Sequence, residues 1–176
     1  MRETSFDQQP SPTKTYVLYP QIAEHIRRGI DPDSRLEEAC GLARAIHIDL
    51  VASKWVKLRE IRPATFIGGG LIEDLAPFFQ EQNIKLVIVD ANLTPIQQRN
   101  LEEKWDLKVI DRTGLILEIF GERASTAEGR LQVELAAMNY QKSRLVRSWT
   151  HLERQRGGTS TTGGPGESQL EIDKRL

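Results

Sequence analysis

The sequence is poor in cysteine, in long apolar runs and in net charge, and each shortage excludes a class of protein. Cys40 is the only cysteine among 176 residues, so no internal disulfide forms and a reducing compartment is favoured. No apolar run approaches the roughly 20 residues that a membrane-spanning helix needs. Residues 1–14 are polar and lack the apolar core of a signal peptide, so they are predicted to be a disordered tail. The composition therefore predicts a cytoplasmic protein without a membrane span.

The charges nearly cancel, with 24 basic and 25 acidic side chains and a net charge of −1. The molecule as a whole is therefore not attracted to nucleic acid, and any such contact must come from a local basic patch. The hydrophobic fraction of 39% is ordinary for a soluble protein, and the length is sufficient to bury a core.

The motifs of a nucleotide-hydrolysing site are missing from these 176 residues. Residues 158–163 have the glycine spacing of a P-loop, but Gly164 and Pro165 stand where the lysine and the hydroxyl residue must be. Without that lysine there is no cation for the β- and γ-phosphates. Asp111 and Gly114 match the loose D-x-x-G pattern of GTPases, but the chain contains no N-K-x-D. We predict that Asp111 caps the next helix instead.

No catalytic or metal-ligating cluster is visible in the sequence. The three histidines, His25, His47 and His151, lie in separate predicted elements, and no group of histidine, cysteine and carboxylate has the spacing of metal ligands. Gly68–Gly70 lacks the full dinucleotide fingerprint and is predicted to be a turn between a strand and a helix. We therefore predict no catalytic residue, no cofactor and no metal in this chain.

Strand and helix patterns alternate along residues 15–121. The clearest helix start is Thr94-Pro95-Ile96-Gln97, in which threonine caps, proline takes the first helical position and glutamine completes a capping box. The predicted strands cover residues 16–19, 46–58, 86–89 and 108–110, and the predicted helices cover residues 34–45, 71–82 and 94–105, the first capped by Ser34. This order predicts an α/β subdomain with a mostly parallel sheet.

The pattern changes to a coiled-coil heptad repeat after residue 121. The residues of this heptad stripe, spaced by four and three, are Leu131, Leu135, Met138, Lys142, Leu145, Trp149 and Leu152. They predict a long helix over residues 125–154 that needs a partner helix. Gly157–Gly166 holds five glycines and one proline and cannot be helical, and a second helix begins at Glu167. Residues 122–176 are therefore predicted to form an antiparallel helical hairpin, coiled-coil-like, with a Gly-rich tip and an incomplete second helix.

Basic side chains are concentrated on this predicted hairpin. Between residues 139 and 166 five basic residues accompany one acid, Glu153. Such a run is either the solvated face of a helix or an RNA-binding surface. The second interpretation is favoured because the run leads into a tip whose amides and hydroxyls can approach phosphates and sugars closely. The predicted RNA-binding residues are Lys142, Arg144, Arg147, Arg154, Arg156, Gly157, Gly158, Thr159, Ser160, Thr161, Thr162, Gly163 and Gly164.

Five segments resemble the N-terminal domain of the HflX family of ribosome-associated translational GTPases. They are QQRNLE (97–102), VIDRTGLIL (109–117), EGRLQVELA (128–136), WTHLERQ (149–155) and GPGESQLE (164–171). They occur in order, and the resemblance extends from about residue 34 to the C-terminus. The chain departs from the family pattern in three ways: it has no lysine beside Gly68–Gly70, Gly163 replaces a common arginine, and Ser125 and Ala127 stand where basic residues are frequent.

The resemblance implies an α/β subdomain and a helical hairpin followed by a GTP-binding domain, which is expected beyond Leu176 and would use GTP and Mg. Members of the family bind the ribosome and, where characterised, separate its subunits under stress. The hairpin tip, residues 157–166 here, is then expected near the peptidyl-transferase region. The implied partners are the large ribosomal subunit, its rRNA and the protein's own GTPase domain. This chain is then not an enzyme itself, whereas the full-length protein is a GTPase.

Two alternatives remain open at this point. The α/β subdomain can instead bind a nucleotide at the strand ends around Gly68–Gly70 and Asp90, or it can act mainly as a regulator of the attached GTPase. The sequence does not distinguish ribosome splitting from rescue or biogenesis.

Overall fold

A computed structural model describes the backbone of residues 11–156 and the side chains of residues 11–144. The elements in this part of the chain are β1 (Thr13–Gln21), α1 (Ala23–Arg27), α2 (Pro32–Ala43), β2 (Ile48–Lys57), α3 (Gly69–Glu81), β3 (Leu86–Val89), α4 (Pro95–Trp105), β4 (Lys108–Asp111), α5 (Arg112–Arg123) and α6 (Ala127–Arg156). None of the helices in the described residues combines the length and the apolar character needed to cross a membrane.

The four strands form one sheet in the order β2-β1-β3-β4, and every strand pair in the described residues is parallel. Helices α2 and α5 cover one face of the sheet, and α3 and α4 cover the other. The chain leaves β1 toward one face and β3 toward the other, so a topological switch point lies between the carboxyl ends of these two strands. The predicted α/β subdomain with a mostly parallel sheet is confirmed.

The core is built around β3, whose four residues are all buried because helices cover both of its faces. On one face Trp105 of α4 packs edge-on against Phe79 of α3, with ring centroids 5.1 Å apart. The indole N–H of Trp105 donates to the carbonyl of Ile72 at 3.0 Å. This bond satisfies a donor that would be costly to bury unpaired, and it fixes α4 to α3.

Local capping decides where the helices begin. Thr94 caps α4, and the capping box with Gln97 is present in both directions, as predicted. The prediction for α2 was wrong by three residues, because Asp31 is the cap and its carboxylate accepts the backbone N–H of Ser34 at 2.8 Å. An acidic residue suits this position because the first amides of a helix carry a partial positive charge.

Strand β1 is longer than predicted at both ends. It includes Thr13 and Lys14, which the sequence assigned to the tail, and it continues through Pro20 to Gln21. Proline is tolerated there because β3 pairs only with Thr15–Leu18, so no β3 partner lies opposite Pro20. The far half of β1 is held by β2 alone.

Helix α6 is the longest helix in the part of the chain that the structure describes. It is 30 residues long and packs on α4 and α5 near its N-terminal half. The predicted boundary at residue 122 falls inside α5, which ends at Arg123. The glycine-rich tip and the second helix of the predicted hairpin lie outside the described residues, so the hairpin stays a prediction.

Candidate functional site

Asp111 is the centre of the contact between α6 and the α/β layer. It ends β4, caps α5 and is 1% exposed. One carboxylate oxygen accepts the N–H of Gly114 at 2.9 Å and the hydroxyl of Tyr140 at 2.5 Å. The other accepts the N–H of Leu93 at 3.2 Å and the guanidinium of Arg144 at 2.9 Å. The predicted capping role of Asp111 is confirmed, and two of its four donors come from α6.

Arg144 turns inward from α6 and contacts four other residues. Its guanidinium donates to Asp111, to the side-chain oxygen of Gln98 and to the carbonyl of Leu93 at 3.3 Å. It also lies over the ring of Tyr140, 4.1 Å from the centroid. Its side chain is 17% exposed, and its buried Nε atom has no hydrogen-bond partner among the side chains and backbone that the structure describes. The charge of Arg144 is therefore matched by a buried carboxylate of its own chain.

Tyr140 is held tightly by its surroundings. Burial, and then the hydrogen bond to Asp111, raise the pKa of the Tyr140 hydroxyl far above its ordinary value. A Cβ atom at Gly114 would lie 3.3 Å from the Tyr140 hydroxyl, so glycine gives that hydroxyl room beside α5. A groove of about 440 Å³ runs beside these contacts between α4, α5 and α6. The residues Asp111, Tyr140 and Arg144 are called the α6 joint below.

The α6 joint corrects one of the predicted RNA-binding residues. Arg144 was expected to offer a free guanidinium to RNA phosphates, but it is enclosed and paired with Asp111. Lys142, by contrast, is exposed. The side chains of Arg147, Arg154 and Arg156 and all of residues 157–164 lie outside the described residues, so their RNA-binding role stays a prediction.

The two faces of α6 have different roles. Val133, Ala137, Tyr140 and Arg144 recur at spacings of four and three, are partly buried, and face α4 and α5. The heptad stripe lies about 180° away around the helix, with Leu131 66% exposed and Leu135 and Met138 each 57% exposed. The periodicity of the large apolar residues indicated only the heptad stripe. The spacing of the second set was the signal that would have indicated the docked face.

A second cluster lies at the switch point between β1 and β3. Asp90, directly after β3, is 3% exposed and accepts from Arg35 of α2 at 3.0 Å and from Arg112 of α5 at 2.7 Å. Both arginines also bind Glu38, at 3.1 and 3.0 Å. Asp90 thus pairs with charges from two helices. The arginine–carboxylate quartet of Arg35, Arg112, Glu38 and Asp90 is formally neutral.

The hydrogen bonds within the quartet shift the pKa values of Arg112 and Glu38. Burial opposes the charge of Arg112, but its hydrogen bonds to Asp90 and Glu38 outweigh this and raise its pKa. The hydrogen bond from Arg112 lowers the pKa of Glu38. The quartet therefore ties α2, the end of β3 and α5 together.

A cavity of about 340 Å³ opens beside the quartet, lined in part by His25, Arg28, Asn92 and Phe66. Phe66 has a φ of 66°, a backbone region that bulky residues seldom adopt. The predicted turn at Gly68–Gly70 is wrong for two of its residues, because Gly68 is the N-cap of α3 and Gly69 and Gly70 are its first helical residues. None of the three lines this cavity. In the part of the chain that the structure describes, no group of three His, Cys, Asp or Glu side chains is arranged to hold a metal.

Comparison with known sequences places the chain in a family. A family described as GTP-binding GTPase N-terminal matches residues 33–121, and one described as GTP-binding GTPase Middle Region matches residues 123–176. A GTPase HflX from Magnetococcus marinus is 55% identical over 141 residues, 80% of this chain and 33% of that protein. A GTPase HflX from Escherichia coli is 52% identical over 114 residues, 65% of this chain and 26% of that protein. The chain spans a third or less of the length of these relatives.

Comparison with solved structures agrees at the level of the fold. A GTP-binding protein from the hyperthermophilic archaeon Sulfolobus solfataricus, in complex with GDP, superposes with a TM-score of 0.58. The match covers 82% of this chain and 42% of that chain at 21% identity, so it shows the fold alone. The sequence matches go further, and the chain belongs to the HflX family of GTPases as the N-terminal part of such a protein.

Proposed function

We propose that this chain is the RNA-facing part of an HflX-type GTPase and binds the large ribosomal subunit through α6 and the tip that follows it. The observation that carries the proposal is α6 itself. Thirty helical residues span about 45 Å, and the two side chains that bind α6 to Asp111, those of Tyr140 and Arg144, lie twelve or more residues before the helix ends at Arg156. A slender arm of that shape suits a crevice in folded RNA better than it suits a small-molecule pocket.

The charges on the arm support the same function. Arg144 is paired with Asp111. The four other basic residues of the predicted RNA-binding set would therefore contact the phosphates: Lys142, Arg147, Arg154 and Arg156. Lys142 is exposed on the arm. Residues 157–164 would add backbone amides and hydroxyls, which contact phosphate and sugar without reading sequence. Each phosphate contact contributes to affinity by releasing counterions.

The whole protein is then a cytoplasmic GTPase that uses GTP and Mg in a separate domain. In this proposal the N-terminal part supplies ribosome binding, and GTP hydrolysis by the attached domain controls the splitting or rescue of ribosomes under stress. The relatives named GTPase HflX support the GTPase part of the proposal.

The proposal is tested by cosedimentation of the full-length protein with large ribosomal subunits. Reversing Arg154→Glu and Arg156→Glu together is expected to weaken binding by at least tenfold, because two attractive contacts become repulsive. A matched control reverses two exposed lysines of the α/β layer, Lys54→Glu and Lys104→Glu, with the same change in net charge. Equal binding by both double variants would contradict the proposal.

A second candidate function is nucleotide binding in the 340 Å³ cavity at the switch point, where open α/β sheets commonly bind ligands. The formal neutrality of the quartet makes it the weaker candidate, because Arg35 and Arg112 already have carboxylate partners. Calorimetry with ATP and with GTP on the 176-residue chain separates the two functions, since the ribosome-binding proposal expects no GTP binding there. A purely regulatory role would appear as a changed rate of GTP hydrolysis when these residues are removed from the full-length protein.

A further inference from the structure

We propose that Asp111, Tyr140 and Arg144 are positioning residues: the α6 joint fixes the direction of α6 relative to the sheet and thereby sets where the RNA-facing tip is presented. The geometry of the joint stands independently of the proposed function, but its consequence for ribosome binding rests on that function. The residues that carry the inference lie in two separate elements, with Asp111 at the end of β4 and the other two on α6.

The joint is directional because its contacts are hydrogen bonds with defined angles. Asp111 is itself held by two backbone N–H groups. One belongs to Gly114 in the first turn of α5, and the other belongs to Leu93 in the loop before α4. Tyr140 and Arg144 lie four residues apart on one face of α6, and each binds a different oxygen of that carboxylate. Two bonds from one helix to one fixed group restrain rotation as well as translation.

Apolar packing alone would not restrain the arm in this way. The docked face of α6 before the joint contributes Val133 and Ala137, two small side chains that can slide against a neighbouring helix. Buried polar pairs often add little net stability compared with apolar residues of equal volume, and their best-attested role is to specify one arrangement. The burial of an arginine–aspartate pair at this contact is therefore best explained by orientation.

Because the joint lies well before the end of α6, a small change of helix direction at the joint displaces that end by several ångströms. The helix continues for twelve residues beyond Arg144, which corresponds to about 18 Å. A tilt of about 10° at the joint would move the end of the helix by about 3 Å over that length. A displacement of this size breaks a hydrogen bond to a phosphate, because such bonds require donor and acceptor within about 3 Å.

The test replaces the polar contacts and keeps the volume. Tyr140→Phe combined with Arg144→Met retains an aromatic ring and an unbranched chain, and leaves Asp111 to cap α5. Spin labels at positions 104 and 153, with Cys40→Ala, report the distance from α4 to the outer part of α6. We expect a single narrow distance distribution before the double substitution and at least a doubling of its width after it. An unchanged distribution would overturn the inference.

Two further measurements separate positioning from stability and from the proposed function. In the double variant the β3 and α6 amides are expected to remain protected from hydrogen exchange, with protection reduced only by the overall loss of stability and to the same extent in both elements. If α6 unfolds instead, the single variants Tyr140→Phe and Arg144→Lys are used, and each is expected to widen the distance distribution less.

In the full-length protein the double variant is expected to bind large subunits at least tenfold more weakly, and Arg144→Lys in place of Arg144→Met is expected to restore part of the binding. Unchanged binding despite a widened distribution would refute the positioning role, whereas absence of binding before any substitution would refute only the proposed function.

Discussion

A Cβ atom added to Gly114 would lie 3.3 Å from the hydroxyl oxygen of Tyr140, with the carboxylate of Asp111 only 3.4 Å away. Alanine is ordinarily favoured over glycine inside a helix by about 0.5–1 kcal/mol. At this position the tight contact is expected to reverse the sign, so that Gly114→Ala lowers the free energy of unfolding by about 1 kcal/mol. Chemical denaturation of the 176-residue chain measures this change.

The matched control for this prediction lies in the same helix. A Cβ at Gly121 would meet only Val133, at 4.0 Å, so Gly121→Ala is expected to raise stability by about 0.5 kcal/mol. Tyr140→Phe removes the atom nearest to the new methyl group, and a coupling of about 0.5–1 kcal/mol between positions 114 and 140 is expected. Strictly additive effects of the two substitutions would contradict this account.

Removing Asp111 and removing Arg144 are expected to lower the free energy of unfolding by different amounts. Asp111→Ala leaves Arg144 enclosed without its carboxylate and removes the cap of α5, so it should cost about 3–5 kcal/mol. Arg144→Ala leaves Asp111 with three donors, from Gly114, Leu93 and Tyr140, and should cost about 1–3 kcal/mol. Equal losses in denaturant unfolding would show that the donors other than Arg144 do not satisfy the carboxylate.

Salt dependence distinguishes an RNA contact from a structural arginine. Each phosphate contact contributes about 0.7–0.9 to the slope of log affinity against log salt concentration. Lys142 is exposed. Lys142→Met is therefore expected to reduce the slope for large-subunit binding by about 0.7–0.9, the value for one phosphate contact. Arg144→Met is expected to leave the slope unchanged even where it lowers affinity, because Arg144 is paired within the chain. If the slope fell with Arg144→Met and not with Lys142→Met, Arg144 rather than Lys142 would be the residue that contacts RNA phosphate.

Local signals in the sequence predicted local structure well. The start of α4 was predicted correctly because Thr94, Pro95 and Gln97 lie within four residues and interact with one another. The extent of β1 was underestimated because its ends depend on pairing with β2, from Thr13 opposite Ile48 to Gln21 opposite Lys57. A strand that gains its length from a distant partner carries no marker of that length in its own residues.

The candidate site was harder to predict because its partners are far apart in sequence. Asp111 and Arg144 are 33 residues apart, and Asp90 and Arg35 are 55 residues apart. Counting charges along α6 placed Arg144 among the solvent-facing cations, since a single sequence does not reveal a buried carboxylate on another element. The cap at Asp111 was predictable from Gly114, three residues away, but the use of the same carboxylate by α6 was not.

Acid is expected to weaken the quartet at the switch point through Glu38. The hydrogen bond from Arg112 lowers the pKa of Glu38 below its ordinary value of 4.5 in the folded state. A carboxylate with a lowered pKa contributes stability above its unfolded pKa and loses it as the pH falls through the folded value. The exposed position of Glu38, 49% of its side chain, limits this contribution to about 0–1 kcal/mol. Unfolding free energies measured between about pH 5 and 3 should fall less steeply for Glu38→Gln than for the unmodified chain.

Glu37→Gln provides the comparison for the acid prediction. Glu37 is the exposed neighbour of Glu38 and forms no ion pair in residues 11–144. Its substitution is expected to leave the pH dependence unchanged. If both glutamine variants gave the profile of the unmodified chain, the link between Glu38 and acid stability would be refuted.

The exposed part of the heptad stripe predicts self-association of the 176-residue chain. Leu131, Leu135 and Met138 are more than half exposed on the face of α6 opposite the joint. An exposed apolar stripe of this kind pairs readily with the same stripe of a second copy, so sedimentation velocity should show a dimer whose fraction rises with concentration. Leu135→Glu with Met138→Glu should abolish the dimer, whereas Glu134→Gln with Gln141→Glu, which changes exposed neighbours outside the stripe, should retain it. A monomer at every concentration, with protected amides along the whole of α6, would indicate that residues after Gly166 already cover the stripe.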